Sequence, residues 1–161
     1  MFDITSVLTP DCTRAQVPLV SKKKVLEYAC ELLATRHVGV EPVELFDALL
    51  ERERLGSTAL GHGVGLPHCR LDTCRASVAA LLQLAQPIDF DAPEHGPVDL
   101  VLVLVVPVGA EQEHLKLLAH LVEALDVPQY RQALRAARVD SQFYEAAQAL
   151  PPPREDVSRS A

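Results

Sequence analysis

The seven residues LVLVLVV, 100–106, are apolar at every position and are bounded by Asp99 and Pro107. That is strand length, and well short of the ~20 apolar residues with which a helix crosses a bilayer. A strand apolar on both parities needs cover on both faces, which is the situation of a sheet with helices on each side. Ala76 to Leu84 has strand length too and carries apolar residues on both parities. A loop rich in proline, aspartate and glycine, QPIDFDAPEHGPVD (86–99), joins the two.

Helical periodicity surrounds these strands. Ser21 is placed to cap a helix in which Val25, Ala29, Leu32 and Leu33 line one face, with His37 and Gly39 ending it. Pro42 suits the first turn of a second helix carrying Leu45, Phe46, Leu49 and Leu50, whose charged end is ERER (51–54). After Gly109, Leu115, Leu118, Val122 and Leu125 form the apolar side of a third, with Glu111 and Glu113 at its positive end. Pro128 separates it from a helix around Tyr130 to Ala137, and Ser141 is expected to cap a last one ending at Leu150. The fold class is therefore α/β, in one domain over residues 1–150. PPPREDVSRSA (151–161) has the composition of a disordered tail.

Composition narrows the function. With 15 Lys and Arg against 22 Asp and Glu, the net charge is −7, and the only basic run is Lys22 to Lys24. Nucleic-acid binding, which needs a basic patch, is not expected. The first twenty residues contain Asp3, Asp11 and Arg14 and no sustained apolar run, so neither a secretory signal nor membrane insertion is expected, and the location should be cytoplasmic. Cys12, Cys30, Cys69 and Cys74 should then be reduced thiols.

The stretch GSTALGHGVGLPHCRL (56–71) holds four glycines and two histidines. It lacks the last glycine of the dinucleotide fingerprint and the Gly-Lys-Ser/Thr of a nucleotide loop. His62, His68, Cys69 and Cys74 do not follow a zinc spacing. Two readings remain open on the residues alone. One is a hairpin-like loop with histidines at its surface. The other is a nucleophilic imidazole at His68, stiffened by Pro67, with Arg52 and His114 available to hold a phosphoryl group.

RERLGSTALGHGVGLPH (52–68) resembles the active-site segment of the mannitol/fructose-class IIA proteins of the bacterial phosphotransferase system. PIDFDAPEHGPVDLVLVLVVP (87–107) is similar to that family's middle segment, and LTPD with SKKKVLEYACELLA to the start of its nitrogen-regulatory branch. The resemblance implies a mixed, roughly five-stranded sheet flanked by helices. It also implies phosphoryl transfer through His68, assisted by Arg52 and by His114, which precedes Leu115.

By their own chemistry Ser57 and Thr58 are open to two roles, phosphoryl-binding or shaping the turn, and no cofactor or metal is implied. The implied donor is an HPr-like phosphohistidine protein. The output would be a regulatory target in the nitrogen-regulatory case, or a IIB acceptor in a sugar-uptake system. A non-phosphorylated binding module is the alternative of another class. The sequence departs from the family at Ala59, at His62 inside the glycine loop, and at Cys69, where glycine is common. His37, His95 and His120 are expected on the surface or on helix faces outside the site.

Overall fold

A computed structural model describes residues 2–153; the tail expected to be disordered lies almost wholly outside them. After a 3-10 turn at Ile4–Ser6 come β1 (Leu8–Val17), α1 (Lys22–Arg36) and α2 (Pro42–Arg54). Three short strands follow, β2 (Ala59–Gly61), β3 (Val64–Gly65) and β4 (His68–Arg70). β5 (Val78–Ile88), β6 (Val98–Val106), α3 (Glu111–Leu125), α4 (Pro128–Ala136) and α5 (Asp140–Gln148) complete the chain.

The sheet has six strands, in the order β1-β5-β6-β3-β2, with β4 also paired to β6. It is mixed: β5 and β6 are antiparallel, β2 and β3 are antiparallel, and β1 on β5, β3 on β6 and β4 on β6 are parallel. The expected count was about five. The difference comes from the glycine stretch, whose three strands are too short to show a period of two in the sequence.

LVLVLVV is a strand buried on both faces. Val101, Val103 and Val105 pack with Val25, Ala29, Leu33, Leu45 and Leu49 of α1 and α2. Leu100, Leu102, Leu104 and Val106 pack on the other side with Leu121, Leu125, Leu134 and Phe143 of α3, α4 and α5. The valine face and the leucine face are the two faces of one pleat.

Local chemistry sets the helix starts. The Ser21 hydroxyl accepts from the Lys24 N–H at 3.2 Å, and Pro42 opens α2. Ser141 does not cap α5 but lies inside it: the helix begins at Asp140, after Val139, and ends at Gln148. Asp140 there serves a tertiary bond instead, accepting from the Ala15 N–H at 2.8 Å and from Arg14 at 3.1 Å, which seats α5 against β1.

The apolar side of α3 also differs from expectation. Its buried residues are His120, Leu121, Ala124 and Leu125, whereas Leu115 is 64% exposed, because the first turns of α3 overhang a cleft rather than the sheet. His120 is buried, not superficial: its Nε2 lies 3.0 Å from the Pro151 carbonyl and its ring meets Phe2 edge-on.

Candidate functional site

β2 and β3 form a hairpin whose two-residue connection, His62 and Gly63, has φ of 55° and 78°. Positive φ at both positions is what a type I′ hairpin turn needs. At Gly63 glycine is required a second way: a Cβ there would lie 2.8 Å from Asp99 Oδ1 and closer still to the Arg135 guanidinium. Arg135 pairs with Asp99 at 2.9 Å and donates to the His62 carbonyl, so α4 clamps the hairpin tip. The hairpin reading of the loop therefore holds for its first half, and the exposed His62 belongs to that tip.

Pro67 ends the hairpin, and the Leu104 N–H donates to its carbonyl at 2.9 Å, which starts β4 alongside β6. Alternation along β4 then sends His68 and Arg70 to one face and Cys69 to the other. Cys69 packs into the core beneath α1 and α2, and burial pushes its thiol up to about 12.

His68 and Arg70 line a cleft of about 610 Å³. Its other walls are the C-terminal half of α2, with Arg52 and Leu55, and the first turns of α3, with Glu111, His114 and Leu115. Three residues far apart in sequence, His68, Arg52 and His114, thus share one cavity. His62 does not line it.

The His68 Nδ1 lies 2.9 Å from the Leu66 carbonyl. A carbonyl only accepts, so Nδ1 carries the proton and Nε2 of the neutral ring carries the lone pair. Arg52 is oriented by an Nη1 bond to the Gly56 carbonyl at 3.0 Å. The Nδ1 of His114 is buried with no hydrogen-bond partner among the described residues. It sits in the first turn of α3, where the Ala110 N-cap supplies no side-chain bond and the helix dipole favours an anion. A nucleophilic nitrogen, guanidinium groups and an uncapped helix start in one cleft are groups chemically suited to an anion such as a phosphoryl group.

Ser57 and Thr58 are not brought to this cleft. The Ser57 hydroxyl donates to the Phe90 carbonyl at 2.8 Å and accepts from the Ala59 N–H at 3.2 Å. The Thr58 hydroxyl donates to Glu53, which also accepts from the Thr58 N–H and from Lys22 Nζ at 2.7 Å. The two hydroxyls tie the loop down, Ser57 to the segment that follows β5 and Thr58 to α2. Arg70, for which the sequence carries no local signal, does line the cleft. The two-residue spacing from His68 points to it only once β4 is known to be a strand. Among the described residues no cluster of three or more His, Cys, Asp or Glu side chains is arranged to hold a metal ion.

Residues 6–149 match the model of the family described as "Phosphoenolpyruvate-dependent sugar phosphotransferase system, EIIA 2". The chain belongs to this family. It is similar to a "Nitrogen regulatory protein" of Pseudomonas aeruginosa, 41% identical over 145 residues that cover 90% of this chain and 94% of the relative. Among solved structures, the nitrogen regulatory protein IIA-Ntr of Neisseria meningitidis superposes with a TM-score of 0.80 at 30% identity, covering 89% of this chain and 97% of that one. The mannitol IIA of Escherichia coli shares the fold, with a TM-score of 0.68 at 24% identity over 81% of this chain and 92% of that one. The mixed α/β fold of this IIA family is thus the fold described above. Among the described residues no helix is long and apolar enough to cross a membrane.

Proposed function

We propose that the chain is a phosphocarrier that accepts a phosphoryl group on Nε2 of His68 from an HPr-like phosphohistidine protein, and that it acts as a nitrogen-regulatory IIA whose phosphorylation state selects its partner. The observation that carries this reading is the orientation of His68. Its Nδ1 proton is committed to the Leu66 carbonyl, which leaves the Nε2 lone pair available in a cleft that also holds Arg52 and His114.

In the transfer the Nε2 lone pair attacks phosphorus in line, the donor's P–N bond breaks, and its electron pair stays on the donor imidazole. One phosphohistidine replaces another, so the reaction is close to balanced and runs in both directions. Arg52 and the start of α3 hold the phosphoryl oxygens as the charge passes. Leu55 and Leu115, 85% and 64% exposed on the rim, give a docking carrier an apolar collar of the kind that suits a small transient interface. The names of the relatives support the regulatory branch of the reading over the sugar-uptake branch.

The test is the intact mass of the purified chain after incubation with phosphoenolpyruvate, the general kinase of the phosphotransferase system and an HPr-like carrier. The expected result is an acid-labile gain of one phosphoryl group, absent in His68→Ala. No gain from a carrier shown to be phosphorylated would overturn the transfer function for that donor.

A further inference from the structure

The cleft contains a second guanidinium that the reading above leaves unused. Arg70 stands two residues from His68 on the same face of β4, which puts their Cα atoms about 6.6 Å apart at ~3.3 Å per residue, within the reach of an arginine side chain. Its Nη1 lies 3.9 Å from Glu111 Oε1, with the two side chains 59% and 49% exposed. Glu111 is the first residue of α3, three positions before His114, so both project from the same side of that helix.

We propose that Arg70 is a further catalytic residue, binding the phosphoryl oxygens as the group reaches His68, and that Glu111 is the counter-ion Arg70 gives up on phosphorylation. The inference rests on His68 being the phosphoryl acceptor. The Arg70–Glu111 pair is long and solvent-screened, so it holds Arg70 weakly. A phosphoryl group carries about −1.5 to −2 charges and three acceptor oxygens, and it matches the planar guanidinium fork better than a single carboxylate does. Arg70 therefore turns from Glu111 to the phosphoryl group.

Glu111 is then left without its cation beside a new anion, with Glu113 close by in the same turn. The two residues act in opposite directions: Arg70 stabilises the phosphorylated state and Glu111 destabilises it. That opposition keeps the phosphohistidine from becoming too stable to pass on, as a carrier requires.

The test measures the transfer equilibrium. A phosphorylated HPr-like carrier is mixed with the full chain, and the phosphorylated fraction of each partner is read by intact mass at alkaline pH, for wild type, Arg70→Ala, Arg70→Lys and Glu111→Gln. Circular dichroism checks that each variant is folded. Arg70→Ala is expected to lower the equilibrium constant for uptake by about tenfold or more, the loss of a charge-assisted bond. Arg70→Lys should recover part of it, and Glu111→Gln should raise it severalfold. A merely structural pair would move Arg70→Ala and Glu111→Gln in the same direction, and that result overturns the proposal. So does a wild type that is phosphorylated while all three variants stay within twofold of it; the His68 reading survives that outcome. A wild type that takes no phosphoryl group from a carrier active on another IIA overturns both.

Discussion

Gln83 is a polar residue in the middle of the apolar strand β5, only 3% exposed, and replacing it with leucine tests how α4 is held. Its Nε2 donates to the Leu134 carbonyl at 3.0 Å and to the Ala137 carbonyl at 2.8 Å, and its Oε1 accepts from the Gln16 N–H at 2.9 Å. Those carbonyls belong to the last turn and C-cap of α4, where a helix has no partners of its own. The side chain is thus an end-cap reaching across from the sheet.

Gln83→Leu keeps the volume and removes both donors. Two buried carbonyls lose their bonds, at about 1 to 3 kcal/mol each, and the added apolar burial returns roughly 1 to 2 kcal/mol, so the net loss is about 3 kcal/mol. With a urea m-value of about 2 kcal/mol/M, the unfolding midpoint falls by about 1.5 M. Phosphoryl uptake by the folded variant should stay at the wild-type rate, since Gln83 does not line the His68 cleft. A midpoint shift under about 0.3 M at unchanged m would show that the end of α4 is satisfied by other means and that the amide is not its cap.

Two further predictions follow from burial. Cys69 and Cys30 are both pushed up to about 12 by burial, so at pH 8 only about 10⁻⁴ of either is thiolate, and a thiol reagent should leave them unlabelled until urea is added. Fast labelling of Cys69 in the native protein would show that the strand behind His68 opens to solvent. Burial also depresses the His37 imidazole at the C-cap of α1 below its usual range. The unfolded chain therefore takes up that proton first, and this contribution to stability is complete above about pH 6.5 and is lost as pH falls towards the depressed value. The urea midpoint should drop less between pH 7.5 and 5.5 in His37→Gln than in wild type; parallel drops would remove His37 as a cause.

Helix starts and the central strand were legible because their signals are local. Ser21, Pro42 and the alternation of LVLVLVV each act within a few residues of themselves, and the structure places α1, α2 and β6 within two residues of the expected bounds. β1 carried no such signal. Pro10, Asp11 and Arg14 interrupt it, its pairing with β5 shifts register twice, and its place at the sheet edge is set by Gln83 and Asp140 rather than by its own pattern. Leu115 and His120 exchanged expected places for a related reason: periodicity names the apolar side of a helix but not how far along its length the sheet extends.

The site divides in the same way. His68 as a candidate acceptor was readable from its segment, together with Arg52 and His114, whose types suit a phosphoryl group; that the three share one cleft was not. Sequence alone thus determined the strand that both faces bury, the helices that bury it and the residue types on offer, because each depends on near neighbours. Tertiary structure alone decided which of those residues meet. Pairing of β4 with β6, His68 opposite Leu104 and Arg70 opposite Val106, turns a three-residue strand so that histidine and arginine face the start of α3 and cysteine faces the core. The same packing engages Ser57 and Thr58 elsewhere, since a hydroxyl bonds to whichever acceptor the folded chain brings within reach, and no local pattern encodes that distance.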